Sequence, residues 1–303
     1  MICETYHVPV MLRETMEGLN IRPGGVYVDV TFGGGGHSRE VLRRMGGRGR
    51  LFSFDQDADA ARNADSFGAM SPFTFVHSNF RYLKNWMRYY DVDRIDGVIA
   101  DLGVSSHHFD DEGRGFSFRF DAPLDMRMNQ RGGRTAADVV NTLSEKSLLD
   151  VLRLYGEVRQ PQRVARAIVR AREKRPIETT GQLAEAVGGD KKELARVFQA
   201  IRIEVNGEME ALERMLLAAQ ELLADGGRLV VLTYHSLEDR IVKNVMRSGN
   251  VGGELVRDVF GNVSAPLKAI GKATPPSVEE QESNPRSRSA KLRVAEKRPL
   301  PEE

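Results

Sequence analysis

Short, nearly unbroken apolar runs alternate with helix-period segments through the first hundred residues. VYVDVTF at 26–32 leads into glycines and then the helical pattern SREVLRRM at 38–45. RLFSFD (50–55) is the next strand, with a helix expected over 57–66, and FTFVH (73–77) is a third. NWMRYY belongs to a helix, and DGVIADLGVSS (96–106) is a fourth strand, almost wholly apolar until Asp101. Strands of this kind in β-α-β-α order predict an α/β fold, a doubly wound and mostly parallel Rossmann-like sheet.

The pattern then changes. Residues 107–127 read as loop, rich in Gly, Asp, Arg and Phe, and from about 135 to 205 every periodic segment is helical. Leu212, Met215, Leu216, Ala219, Leu222 and Leu223 share one helical face, which Gly226 and Gly227 are expected to terminate. RLVVLTY (228–234) restores the buried-strand pattern, and residues 271–290, rich in Pro, Ser and Glu, read as loosely ordered. The expectation is a discontinuous α/β domain, 1–108 with 207–303, carrying an inserted all-helical domain at 109–206.

Composition narrows this little. A chain of 303 residues with 41% hydrophobic and 29% charged positions is ordinary for a globular protein. No run approaches the roughly 20 apolar residues of a membrane helix, so no membrane partner is expected. MICETYHVPVM lacks the layout of a secretory signal, and Cys3 is the only cysteine, which excludes an internal disulfide and argues against a cysteine zinc site. Cytoplasm is the default address. The net charge of +1 hides a basic stretch at 153–175, where eight Arg or Lys face two Glu. Such patches fit a protein that touches phosphates at chosen places, although solvated helix faces give the same pattern.

The glycines at 33–36 sit between a strand and a helix, where a cofactor-binding turn belongs. Asp55 ends the next strand, positioned to accept hydrogen bonds from ribose hydroxyls, as in dinucleotide sites. NAD and S-adenosyl-L-methionine (SAM) both carry that ribose. From Gly34 the spacing is G-x-G-x-x-R, without the third glycine of NAD sites, and Asp29 places negative charge ahead of the loop. A sulfonium and an ammonium suit that charge; a pyrophosphate does not. The residues favour SAM.

With these residues in place, the chain resembles the ribosomal small-subunit methyltransferase H (MraW) family nearly end to end. The likeness runs through HVPVML (7–12), GLNIRPGG (18–25), DVTFGGGGHS (29–38), DLGVSS (101–106), RGFSFR and PLDMRM (114–128), YGE (155–157) and RVARAIV (163–169). It continues through FQAIRIEVN (198–206), GGRLVVLTYHSLEDRIVK (226–243) and NPRSRSAKLRVAEK (284–297). The resemblance implies methylation of the exocyclic N4 of a cytidine in 16S ribosomal RNA, near the decoding centre and acting on the ribosomal P site. The substrate would be held within the 30S subunit, and a homodimer stays open. It implies SAM contacts from Gly34, Gly35, Gly36, His37, Asp55, Phe80, Asp101 and His108. His108 stands where the family usually has Gln, and KKELARVFQA replaces a His-Pro-Ala-Thr-Arg-Thr segment while keeping Arg196.

Asp101, Ser105, Asp125 and His235 are the catalytic candidates, and Arg127, Asn206 and Ser236 join them as lining for a flipped-out base. Asp101, at the carboxyl edge of the sheet, is placed to accept a hydrogen bond from the cytosine amino group. Arg163, Arg166 and Arg170 share a helix face suited to RNA phosphates. Structural alternatives stand beside these: Asp125–Arg127 and Asp239–Arg240 as ion pairs tying the domains, and His235 as a satisfied core histidine. Two rival functions stand too, methylation of another amino group and a non-catalytic RNA-binding factor.

Overall fold

The computed structural model describes residues 9–68, 72–103, 112–257 and 265–299. The chain divides into two compact units, Met1–Gly103 with Glu210–Glu303, and Val104–Met209.

The first unit is built on seven strands in the order β3-β2-β1-β4-β5-β7-β6. β1 (Val26–Asp29), β2 (Arg50–Asp55), β3 (Phe73–His77), β4 (Ile95–Asp101) and β5 (Leu223–Thr233) run parallel. β7 (Lys291–Lys297) pairs antiparallel with β5, and the short β6 (Leu267–Ala269) pairs antiparallel with β7. β1, β2 and β4 follow the apolar runs, because strands buried on both faces carry little polar alternation, while β3 is an edge strand, half-buried along most of its length. On one face Ile99, Val230, Leu232 and Leu292 pack with Met16 and Leu19 of α1 (Leu12–Leu19) and Val41 and Met45 of α2 (Gly36–Met45). The alternate residues Val98, Ala100, Leu229 and Val231 point to the other face and are equally buried.

α3 (Ala58–Asp65) begins at Asp57, whose carboxylate accepts the Asp59 amide at 2.8 Å, and α4 (Leu83–Tyr89) follows a 3₁₀ turn at Phe80–Tyr82. The doubly wound, mostly parallel sheet is therefore present.

Three local readings change. Gly226 and Gly227 do not stop a helix: the preceding helix already ends at Leu222, and β5 begins at Leu223. Gly226, at φ +75°, instead sits where the β4–β5 register shifts, between the Ile95–Leu223 and Gly97–Arg228 pairs. The stretch 271–290 is ordered into a short helix, Val278–Ser283, capped by Ser277, and a 3₁₀ turn at Pro285–Ser289. Asp239 does not pair with Arg240: its oxygens take Arg293 Nε at 2.7 Å and Lys291 Nζ at 3.5 Å, both on β7.

In the second unit the described residues form five helices, α5 (Ala136–Thr142), α6 (Glu145–Gly156), α7 (Pro161–Lys174), α8 (Thr180–Val187) and α9 (Lys191–Asn206). Their starts are written in the sequence. Thr135 with Asp138 and Thr179 with Gln182 form capping boxes, Ser144 and Asp190 cap α6 and α9, and Pro161 occupies the first turn of α7. Leu148, Leu152, Val164, Ile168, Leu183, Phe198 and Ile201 fill the core between them. The chain leaves this unit along α10 (Glu208–Leu222) and, after β5, forms α11 (Ser236–Ser248) and α12 (Val278–Ser283).

Candidate functional site

The sheet order places β1 beside both β2 and β4, so the chain winds outward in both directions from β1. Ligands in open α/β sheets bind at the carboxyl ends of the strands at such a switch point. The sequence candidates Gly34, Gly35, Gly36, His37, Asp55, Phe80 and Asp101 follow or end these strands.

The glycine loop follows β1. Gly35 is the N-cap of α2 at φ +76°, and a Cβ there would lie 2.6 Å from the Phe67 ring. A Cβ on Gly36 would come within 2.2 Å of Pro9 Cγ. The loop is thus compressed between Pro9 and an aromatic cluster of Phe32, Phe67, Phe73 and Phe75. A glycine cap offers no side-chain oxygen, so the first-turn amides of α2 are left for a ligand or water.

Asp55 ends β2. It accepts the Gly33 amide at 2.9 Å and the Asp57 amide at 2.9 Å, which fixes the carboxylate against the loop. Phe80, half-buried, opens the 3₁₀ turn after β3, which Asn79 stabilises by accepting the Arg81 amide at 2.9 Å.

Asp101 ends β4. Its amide donates to Thr31 Oγ1 at 2.7 Å, joining β4 to the glycine loop. One carboxylate oxygen accepts the Tyr234 hydroxyl at 2.7 Å, and the other lies 3.9 Å from His37 Nδ1. His37 is buried, with Nε2 3.2 Å from the Val10 carbonyl. Burial and the neighbouring Asp101 charge push the Tyr234 phenol far above its ordinary value, so it stays a neutral donor. Tyr234 was not singled out from sequence. The available signal was a polar-tipped aromatic at the end of a buried strand.

Asp29 differs from its expected part. It is wholly buried, accepting Ser38 Oγ at 2.7 Å and the Thr31 amide at 3.1 Å, and burial pushes its carboxyl up despite His37 and Ser38. It organises the loop from beneath, and any effect on a cationic ligand is through its field alone.

His235 caps α11, accepting the Glu238 amide at Nδ1 across 3.4 Å while Nε2 lies 3.0 Å from Glu238 Oε1. Nδ1 thereby holds the helix start, while Nε2 is buried and makes no hydrogen bond. Ser236 follows it, exposed, in the first turn. Ser105 and His108 lie outside the described residues.

The remaining candidates belong to the helical unit. Arg127 grips Asp125 with Nε and Nη2 at 2.7 and 2.8 Å, two residues apart in one turn, so this pair does not tie the domains together. Burial pushes the Asp125 carboxyl up, but the Arg127 guanidinium and amide outweigh it and hold it below the usual carboxylate range. Met126 between them is buried at φ +59°, a strained setting for a methionine. Asn206 locks the turn, accepting the Met128 amide and donating to the Met126 carbonyl, each at 2.8 Å. Its carboxamide also donates to Arg202, so it serves as a clamp. Of the three candidate arginines on α7, Arg163 pairs with Glu193 at 2.9 Å and Arg166 with Glu145 at 3.2 Å, while Arg170 is exposed.

Comparison with known proteins adds the chemistry. Ribosomal RNA small subunit methyltransferase H of Bacteroides fragilis (strain YCH46) is 59% identical, over 97% of this chain and 98% of its own. The protein of the same name from Parabacteroides distasonis is also 59% identical, over 96% and 97%. Among solved structures, TrmN from Thermus thermophilus aligns with 95% of this chain and 48% of its own at a TM-score of 0.44 and 12% identity, too distant to bear on function. The MraW methylase profile matches residues 4–298, and the chain belongs to the MraW methylase family.

Proposed function

We propose that this chain transfers a methyl group from SAM to the exocyclic N4 of a cytidine in 16S ribosomal RNA, within the 30S subunit and in the cytoplasm. The observation that carries the reading is the near-full-length likeness to proteins named ribosomal RNA small subunit methyltransferase H. When bound, SAM supplies an electrophilic methyl group. The residues fit such a group: a glycine-lined loop, an uncapped helix start, and acids ending β2 and β4 at one sheet edge. Gly34, Gly35, Gly36 and His37 would form the cradle, Asp55 would take the ribose hydroxyls, and Phe80 would face the adenine.

Asp101 carries the acceptor's chemistry. Cytosine N4 is a weak nucleophile because its lone pair is delocalised into the ring. A carboxylate accepting one amino proton localises that pair and balances charge as it develops. Tyr234 holds one oxygen of Asp101, which leaves the carboxylate a fixed orientation toward the target. No strong general base is needed, since the methylated amino group becomes acidic and loses its proton readily. The helical unit is assigned to RNA recognition, with Arg127 and Asn206 shaping its loop and the α7 face meeting phosphates.

The test offers labelled SAM with undermethylated 30S subunits, free 16S RNA and bulk protein, then maps the modified nucleoside. N4-methylcytidine in the RNA is the expected product. Label on protein, on another nucleoside, or nowhere overturns the proposal.

A further inference from the structure

Within the helical unit the approach to α7 and the start of α9 border a half-open cavity of about 370 Å³. Arg159 and Arg163 line it from the first side, Lys192 and Arg196 from the second, with Asp190 and Glu193 as the acids among them. Both acids are already engaged. Asp190 caps α9 by accepting the Glu193 amide at 2.8 Å, and Glu193 pairs with Arg163 at 2.9 Å. Among the described residues, none of Arg159, Lys192 and Arg196 takes part in an ion pair, and Arg159 and Lys192 are exposed. The lining therefore carries an uncompensated positive charge in a concave space.

Two backbone features add to it. Gly188 and Gly189 have φ of +61° and +89°, which turns the chain tightly before α9. The N-cap of α7 is Gln160 without a side-chain cap, so the positive end of that helix is left open beside Arg159. Guanidinium forks match phosphate geometry and remain charged at every accessible pH.

We infer that the cavity of Arg159, Arg163, Lys192 and Arg196 is a subsite for a backbone phosphate of the RNA substrate. This rests on the RNA reading proposed above. It also gives the divergent segment KKELAR a use, since Lys192 and Arg196 both come from it. The site differs from the α7 stripe expected from sequence: Arg166 and Arg170 do not line it, and two of its cations come from another helix.

The experiment uses the full chain and 16S RNA, in wild type, Arg159→Gln/Arg196→Gln, and Arg159→Lys/Arg196→Lys. RNA affinity is measured across a salt series, with kcat, the KM for each substrate and thermal midpoints recorded alongside. Each phosphate contact contributes roughly 0.7–0.9 to the slope of log K against log salt. The Gln double variant is expected to weaken RNA binding roughly tenfold and flatten the slope by about 1–2, with kcat, the SAM KM and the midpoint unchanged. The Lys variant is expected to recover most of the slope.

A Gln variant with unchanged affinity and slope, while wild type methylates RNA, overturns the subsite alone. A wild type that binds RNA without methylating it, with the slope still flattened in the variant, sinks the methylation reading and supports the subsite. No RNA binding by wild type, or displacement of RNA by polyglutamate but not by polyphosphate, overturns the subsite as well.

Discussion

Tyr234→Phe removes one oxygen and leaves the ring where it is. The lost contact is the hydroxyl's 2.7 Å hydrogen bond to the Asp101 carboxylate. A hydrogen bond to a charged acceptor is worth about 1.5–3 kcal/mol net. The Asp101 side chain is 21% exposed, so water replaces part of that, and a stability loss of about 1–2 kcal/mol follows. The larger effect falls on rate. An Asp101 free to rotate loses its alignment on the target amino group, and about 1.4–2.8 kcal/mol of lost transition-state stabilisation slows methyl transfer roughly 10- to 100-fold. Single-turnover rates at saturating SAM and RNA isolate this step from binding. The pH dependence supplies a second readout. Because the phenol's folded value is raised, its contribution to stability is full below about pH 10 and is lost as pH climbs beyond it. Wild type should therefore lose stability on the alkaline side more steeply than the variant. A variant whose single-turnover rate stays within about twofold of wild type at every pH would refute the claim that Tyr234 positions Asp101.

Other outcomes follow from the same geometry. Asp55→Asn strips the charge that faces the glycine loop and leaves one of the Gly33 and Asp57 amides opposite an NH₂ group; the SAM Kd should rise about 10- to 100-fold by calorimetry, with RNA affinity unchanged. Asn206→Ala removes the hydrogen bonds to the Met126 carbonyl and the Met128 amide, and should cost about 2–4 kcal/mol in denaturant unfolding. Arg127→Gln breaks the grip on Asp125. The Asp125 carboxyl is depressed when folded, so its stabilisation is present above about pH 4 and is lost as pH falls through its folded value. The variant should be about 1 kcal/mol less stable at neutral pH, with a flatter acid limb in a thermal-melt series.

How much was legible differs from element to element. β2 and β3 fall on RLFSFD and FTFVH residue for residue: β2, between β1 and β3, is buried along its interior and nearly all apolar there, while β3, at the sheet edge, is marked by its aromatic and β-branched residues. The glycine loop and Asp55 were readable for a related reason: positive φ and crowding at Gly35 exclude other residues, which leaves a visible mark in the chain. The N-terminal helix α1 and the three-residue β6 escaped notice, being short and stabilised by packing on distant strands. Gly226 and Gly227 announce a turn in either setting, and only pairing with β4 made it a strand irregularity.

Sequence alone determined the order of the parallel strands along the chain, the helical interval between the fourth and fifth of them, and the residue types at their ends. These are local properties, set by burial period and by backbone conformations that few side chains tolerate. What the tertiary structure decided was pairing. It brought Tyr234 to Asp101 across 133 positions of sequence and Asn206 to the Met126 turn across 80. It also sent Arg163 and Arg166 to carboxylates, while leaving Arg159, Lys192 and Arg196 around a cavity. A charged or polar side chain carries no sign in the sequence of which partner will satisfy it. Its chemistry is settled only when folding chooses its neighbours.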